Sequence, residues 1–153
     1  MKTAYRIVKM REAKAAFSGE GARLAGGRWN EVGTAVVYVS GSLALAALET
    51  FVHLRPLIPK QRFVFFTVSI PNTVRIERSS ELPSDWRISP APQETQRLGT
   101  EWVKAARSAV LEVPSAVIPT ECNYMLNPAH PDFKRIKLSE PRSFSFDPRL
   151  WKR

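Results

Sequence analysis

Short apolar runs alternate along this chain with polar, glycine-rich and proline-rich stretches, and the pattern predicts a mixture of strands and helices. Thr3–Val8 (TAYRIV) reads as a first strand, followed by a charged helical turn near Arg11–Ala16. Gly21–Gly33 (GARLAGGRWNEVG) has neither the period of a helix nor that of a strand and reads as a loop. Ala35–Ser40 (AVVYVS) is β-branched and bounded by polar residues, which predicts a strand. Ser42 is placed to cap a helix over SLALAALETFVHL, which ends before Pro56. Arg62–Ile70 (RFVFFTVSI) predicts a buried strand, and Thr73–Glu77 another after a Pro-Asn turn. Ser79–Gln93 is proline- and serine-rich and reads as an irregular connection. Glu94–Ala109 predicts a helix through Leu98, Trp102 and Ala105, with Gly99 as a weak point inside it. Val110–Val113, Ala116–Ile118 and Phe133–Leu138 read as short strands. There is no internal repeat or linker, so the expectation is one compact α+β domain over residues 1–153, a short-stranded sheet with flanking helices.

Composition changes this picture little. At 153 residues the chain is long enough to bury about 70% of the surface it exposes when unfolded. A single cysteine, Cys122, rules out a disulfide framework and points to a reducing cytoplasm. No apolar run approaches the roughly 20 residues of a membrane span, and the N-terminal stretch turns charged too soon for a signal peptide. Charge matters more. The net charge of +9 favours an anionic partner or ligand, yet the cations are scattered singly or in pairs among acids, as on an ordinary basic surface.

The glycine-rich stretch invites a phosphate-loop reading. The dinucleotide pattern G-x-G-x-x-G fails because Leu24 stands where the third glycine belongs, and no Gly-Lys-Ser/Thr triplet exists for a Walker loop. His53, His130 and Cys122 lack partners at metal-ligand spacing, so no metal is expected. What stands out is Arg28 among glycines, Tyr38 in the following strand and Glu49 in the next helix. Glu49 is the one acid between Glu31 and Glu77, set amid Leu45, Ala46, Ala47, Leu48, Phe51 and Val52. On residues alone, Glu49 is either a solvated carboxylate or a site residue, Tyr38 a core tyrosine or a ligand contact, and the loop a turn or a cradle.

The opening YRIV, the FSGEGARLAGGRWN loop, the VVYVS strand, the ALAALE helix and the later block VPSAVIPTECNYMLNPAHPDF together resemble the RES domain family, from Tyr5 to about Phe144. The resemblance places the family's name-giving arginine, glutamate and serine on Arg28, Glu49 and Ser115. It implies a fold similar to mono-ADP-ribosyltransferases and a toxin of a type II toxin–antitoxin pair that consumes NAD⁺. It also implies an Xre-like helix-turn-helix antitoxin that carries the DNA binding, and leaves room for a toxin dimer within the complex. Arg28, Tyr38, Glu49 and Ser115 are the implied catalytic set, with Ser115 orienting either Glu49 or the leaving nicotinamide. Arg6, Gly27, Trp29, Asn30, Ser40 and Asn123 join Arg28 and Tyr38 as implied NAD⁺ contacts.

That chemistry suits these residues. Cleaving the nicotinamide–ribose bond develops positive charge on the ribose, which a fixed carboxylate stabilises. An arginine in a glycine loop can grip a diphosphate with its planar fork. Two other readings stay open: a nucleic-acid-binding or ribonuclease-type toxin, suggested by the charge and by Trp29, Trp86, Trp102 and Trp151, and a non-catalytic NAD-binding regulator.

Overall fold

The structure, a computed structural model, describes residues 1–54 and 61–151. Pro56, where the second helix was expected to have ended, and Arg153 lie outside the described residues. Among those described, eight strands form one sheet: β1 (Lys2–Lys9), β2 (Val37–Ser40), β3 (Phe63–Ile70), β4 (Ile76–Arg78), β5 (Val110–Pro114), β6 (Cys122–Leu126), β7 (Lys137–Leu138) and β8 (Arg142–Phe144). The order is β4-β5-β6-β2-β1-β3-β7, with β8 also pairing β3. All pairings are antiparallel except β4–β5. With α1 (Glu20–Ala25), α2 (Leu43–Phe51) and α3 (Gln93–Ala105), this is the single α+β domain expected from the sequence.

Strand alternation sorts the side chains onto two faces. Val37 and Val39 of β2, Val68 and Ile70 of β3 and Tyr124 and Leu126 of β6 build the core on one face, joined by Ile136 and Phe133. The opposite face carries the helices and holds two apolar clusters. Trp29, Val36, Trp102, Leu111, Val113 and Met125 pack near α3, and Ile7, Ala46, Phe63 and Phe146 pack near α2. Tyr38 and Ser40 lie on this helix-bearing face, in register with Met125 and Asn123 of β6. The helical face is therefore split into two patches, with a gap between them.

Four local expectations need correction. Residues 20–25 of the glycine-rich stretch form α1, a helix too short to leave a periodic signal, closed by Gly26 at φ 69°. Ala116–Ile118 forms a bend instead of a strand. The amides of Val117 and Ile118 donate to Ser115 Oγ (3.1 and 3.0 Å), which withdraws them from any ladder. The strand that pairs β5 is β6, which sequence reading passes over. Phe133–Leu138 starts as a 3₁₀ turn over Pro131–Arg135, with Pro131 setting its first residue, and only Lys137 and Leu138 join the sheet. Thr73–Glu77 is largely turn, the strand beginning at Ile76.

Candidate active site

A cleft of about 1790 Å³ opens between the two apolar clusters. Its walls come from the α1–β2 loop, α2, the segment after β4, the bend after β5 and the chain near Phe146. Arg6, Gly27, Arg28, Trp29, Tyr38, Ser40, Glu49 and Asn123 all contribute to its lining. Residues from five separate elements thus meet in one depression.

Glu49 is positioned from three directions. The helix that carries it starts where Ser42 Oγ accepts the amide of Leu45 at 3.0 Å, and Leu45 and Ala46 bury its inner side. Ser115 Oγ donates to Glu49 Oε1 at 2.6 Å, and Asn123 Nδ2 donates to the same oxygen at 2.7 Å. Ser115 is wholly buried and its oxygen already receives two amides, so its hydroxyl proton has one direction left, toward the carboxylate. Ser40 Oγ donates to Asn123 Oδ1 at 2.7 Å, which fixes the asparagine amide with its NH₂ toward Glu49. One carboxylate oxygen is held by two charge-assisted bonds, and Oε2 has no protein donor among the described residues. That free oxygen is what a ligand in the cleft would meet.

Arg28 sits at the tip of a reversal closed by an antiparallel bridge between Gly27 and Asn30. A side chain at residue 27 would press its Cβ to 2.8 Å from Asn30 Oδ1 and 2.9 Å from the Tyr38 hydroxyl, so the site requires glycine. Arg28 Nη1 donates to the carbonyls of Trp86 and Ile88 at 2.9 and 2.7 Å. Partial burial pulls its pKa down, an effect opposed by the negative charge of Glu49. The two groups feel each other across the cleft without forming an ion pair among the described residues.

Several residues expected to touch a ligand also make bonds within the scaffold. Asn30, fully buried, directs its two amide protons to the carbonyls of Ala22 and Thr34, with Glu31 O a longer shared contact, and accepts from the Tyr38 hydroxyl at 2.6 Å. Trp29 is 3% exposed and stacks on Trp86 with ring centres 6.1 Å apart. The Tyr38 hydroxyl gives its proton to Asn30 and accepts the Trp29 amide, and burial pushes its pKa well above the ordinary tyrosine value. Arg6 spends Nε on Ala16 O and Nη1 on Tyr38 O, and its burial lowers its pKa to about 10. Ser40 lines the cleft and gives its hydroxyl proton to Asn123. Arg23, which carries part of the local positive charge, pairs with Glu20 instead of facing the cleft.

Two other residues line the cleft: His53, which helical spacing puts on the face of Glu49, and Arg87 in the proline-rich connection, which sequence reading passes over. Arg87 lies in a stretch with no periodicity to mark it. Among the described residues no group of His, Cys, Asp and Glu is placed to hold a metal.

Comparison with known proteins identifies the family. The profile of the RES domain matches residues 3–147. The chain belongs to the RES domain family. This RES domain is 41% identical over 148 residues to a protein named Toxin Res from Yersinia enterocolitica, covering 95% of this chain and 97% of that one. It is 42% identical over 139 residues to a Prs ADP-ribosylating toxin from a Sphingobium species, covering 88% and 86%. Among solved structures, it superposes with a TM-score of 0.71 on a chain of the Mycobacterium tuberculosis MbcT–MbcA toxin–antitoxin complex, over 98% of this RES domain and 86% of that chain. Identity there is 16%, so that likeness speaks to fold. Among the described residues no helix is long and apolar enough to cross a membrane.

The geometry gives Tyr38 a test of its own. Tyr38→Phe leaves the Asn30 carbonyl oxygen and the Trp29 amide without their partner inside the loop. The expected cost is about 1–3 kcal/mol of stability, read as an earlier midpoint in urea denaturation. An unchanged midpoint would show that the Tyr38 hydroxyl is not what holds the loop.

Proposed function

We propose that this protein is the toxin of a toxin–antitoxin pair and that it cleaves the nicotinamide–ribose bond of NAD⁺. The observation that carries this reading is Glu49, held through Oε1 by Ser115 and Asn123 with Oε2 left open to a large cleft. The names of the relatives, Toxin Res and Prs ADP-ribosylating toxin, support the same reading.

In this mechanism the substrate lies along the cleft with its diphosphate toward Arg28 and its nicotinamide ribose beside Glu49. As the glycosidic bond lengthens, positive charge grows on the ribose ring, and the carboxylate is already fixed where that charge appears. Ser115 and Asn123 contribute by preventing Glu49 from rotating away, so no reorganisation is needed at the moment of cleavage. Tyr38 keeps the Arg28 turn in shape and lends its ring to the cleft wall. The acceptor of the ADP-ribosyl group is water, inorganic phosphate or a protein side chain, each attacking the face that nicotinamide leaves. The partner is an Xre-like helix-turn-helix antitoxin that covers the cleft mouth and binds the operator.

The test is nicotinamide release from NAD⁺ by the purified protein, with and without inorganic phosphate, and with cell extract as a source of protein acceptors. Release is expected in at least one condition. Dependence on phosphate identifies phosphorolysis, and label transfer from NAD⁺ to protein identifies ADP-ribosylation. A folded protein that releases none in all three would refute the proposal.

A further inference from the structure

Arg87 has no role in the site as described so far, yet its surroundings are specific. It lies in the cleft wall, exposed, on the segment between β4 and α3. Its Nε donates to Ala116 O at 2.7 Å, one residue beyond Ser115. Arg28 in turn grips the carbonyls of Trp86 and Ile88, the two residues that flank Arg87. The two arginines are therefore interlocked: one holds the backbone on both sides of the other, and the second ties that backbone to the bend that positions Glu49. Beneath them Trp86 stacks on Trp29, which seats the segment on the Arg28 loop.

Arg87 gives the protein Nε alone, and Arg28 gives Nη1 alone. The remaining N–H groups of both guanidinium forks have no acceptor among the described residues, while both side chains line the same cleft. Arg6 and Lys9 add positive charge to that wall, against Glu12 and Glu49. Two guanidinium groups, each anchored through main-chain carbonyls and each with donors to spare, suit a ligand with two adjacent anionic centres.

We propose that Arg87 and Arg28 form a two-arginine clamp for the diphosphate of a nucleotide, with Arg87 setting affinity and not taking part in bond cleavage. The inference rests on the NAD⁺ reading for the identity of the nucleotide, but the clamp itself requires only a diphosphate. Its signature is a split between binding and turnover. Removing Arg87 weakens the hold on the diphosphate in the ground state and transition state alike, which raises KM and spares kcat.

The experiment compares wild type with Arg87→Gln and Arg87→Lys in NAD⁺ turnover, and measures binding of ADP and inorganic pyrophosphate by calorimetry. For Arg87→Gln the expected result is a KM for NAD⁺ raised about tenfold or more, kcat within about twofold, and pyrophosphate binding weakened by a similar factor. Arg87→Lys, a point charge without the fork, should fall between the two. A drop in kcat at unchanged KM would mean that Arg87 acts only through Ala116 on Ser115 and Glu49, and would overturn the clamp. So would unchanged KM and unchanged pyrophosphate binding. Should wild type release no nicotinamide at all, the NAD⁺ reading fails, and the calorimetry alone decides the clamp. ADP and pyrophosphate binding that weakens in Arg87→Gln then upholds it, and equal or absent binding in both proteins refutes it.

Discussion

Glu49→Gln is expected to lower nicotinamide release by at least ~10²-fold, roughly 2.7 kcal/mol of transition-state stabilisation, in a protein that stays folded. The geometry makes this substitution unusually clean. Oε1 of Glu49 only accepts hydrogen bonds, from Ser115 and Asn123, and a glutamine carbonyl oxygen can accept the same two. Its NH₂ then falls where Oε2 stands, at the position with no protein donor. Helix, bend and network survive, and what is lost is the negative charge facing the ribose. Thermal melting beside the release assay separates the two effects. Wild-type release from a Glu49→Gln protein with a native melting curve would remove Glu49 from the mechanism.

The largest expected effect on stability belongs to Gly99, in the middle of α3. A Cβ there would overlap the carbonyl oxygen of Trp29 and lie 2.9 Å from Met125 Cε. The first of these is main chain and cannot swing aside, so helix and loop must part. Gly99→Ala should cost about 3 kcal/mol, at the high end for overpacking, and lower Tm by about 6–12 °C for a domain of this size. The displaced strand of contacts includes the Arg28 turn, held to α3 also by Gln96 Nε2 on the Gly27 carbonyl and by Thr100 Oγ1 on the Glu31 amide. Activity should therefore fall further than unfolding alone explains at temperatures well below the new Tm. A Tm unchanged within 2 °C would show that the helix and loop accommodate the methyl group without cost.

Gly99 also illustrates what can be read from a sequence and what cannot. As a symbol in a helical pattern it is a local weakness, about 1 kcal/mol against alanine. Its reason for being there is a backbone seventy residues earlier in the chain, which no local pattern announces. Glu49 stands out for the opposite reason, an isolated acid on an apolar helix, yet on residues alone it is as well a solvated carboxylate, and the family resemblance singles it out. The strand at Val37–Ser40 and the Ser42 cap are likewise local chemistry, and both are present. The donors to Glu49 come from 66 and 74 residues away and rest on a β2–β6 register that pairs Ser40 with Asn123. From spacing alone Asn123 is a polar residue in a stretch given no element, and only the family resemblance singles it out. Trp29 and Asn30 were conspicuous for being in the loop, and the reason they are there is to build it.

The order of strands in the sheet has a consequence for how such an activity could come into being in a cell. β1, β2, β3 and α2 arise from the first seventy residues, while β4, β5 and β6 follow as a second block that meets the first along β2. β7 and β8 then return to clasp β3 on the far side. Glu49 and Arg28 belong to the early block, and Arg87, Ser115 and Asn123 to the late one. A polypeptide still emerging from the ribosome at residue 100 has its carboxylate but neither donor to hold it, and a prematurely terminated product never acquires them. The same seam would allow the chain to be divided near residues 71–75 into two innocuous fragments, whose reunion along β2 and β6 would restore the site as a whole.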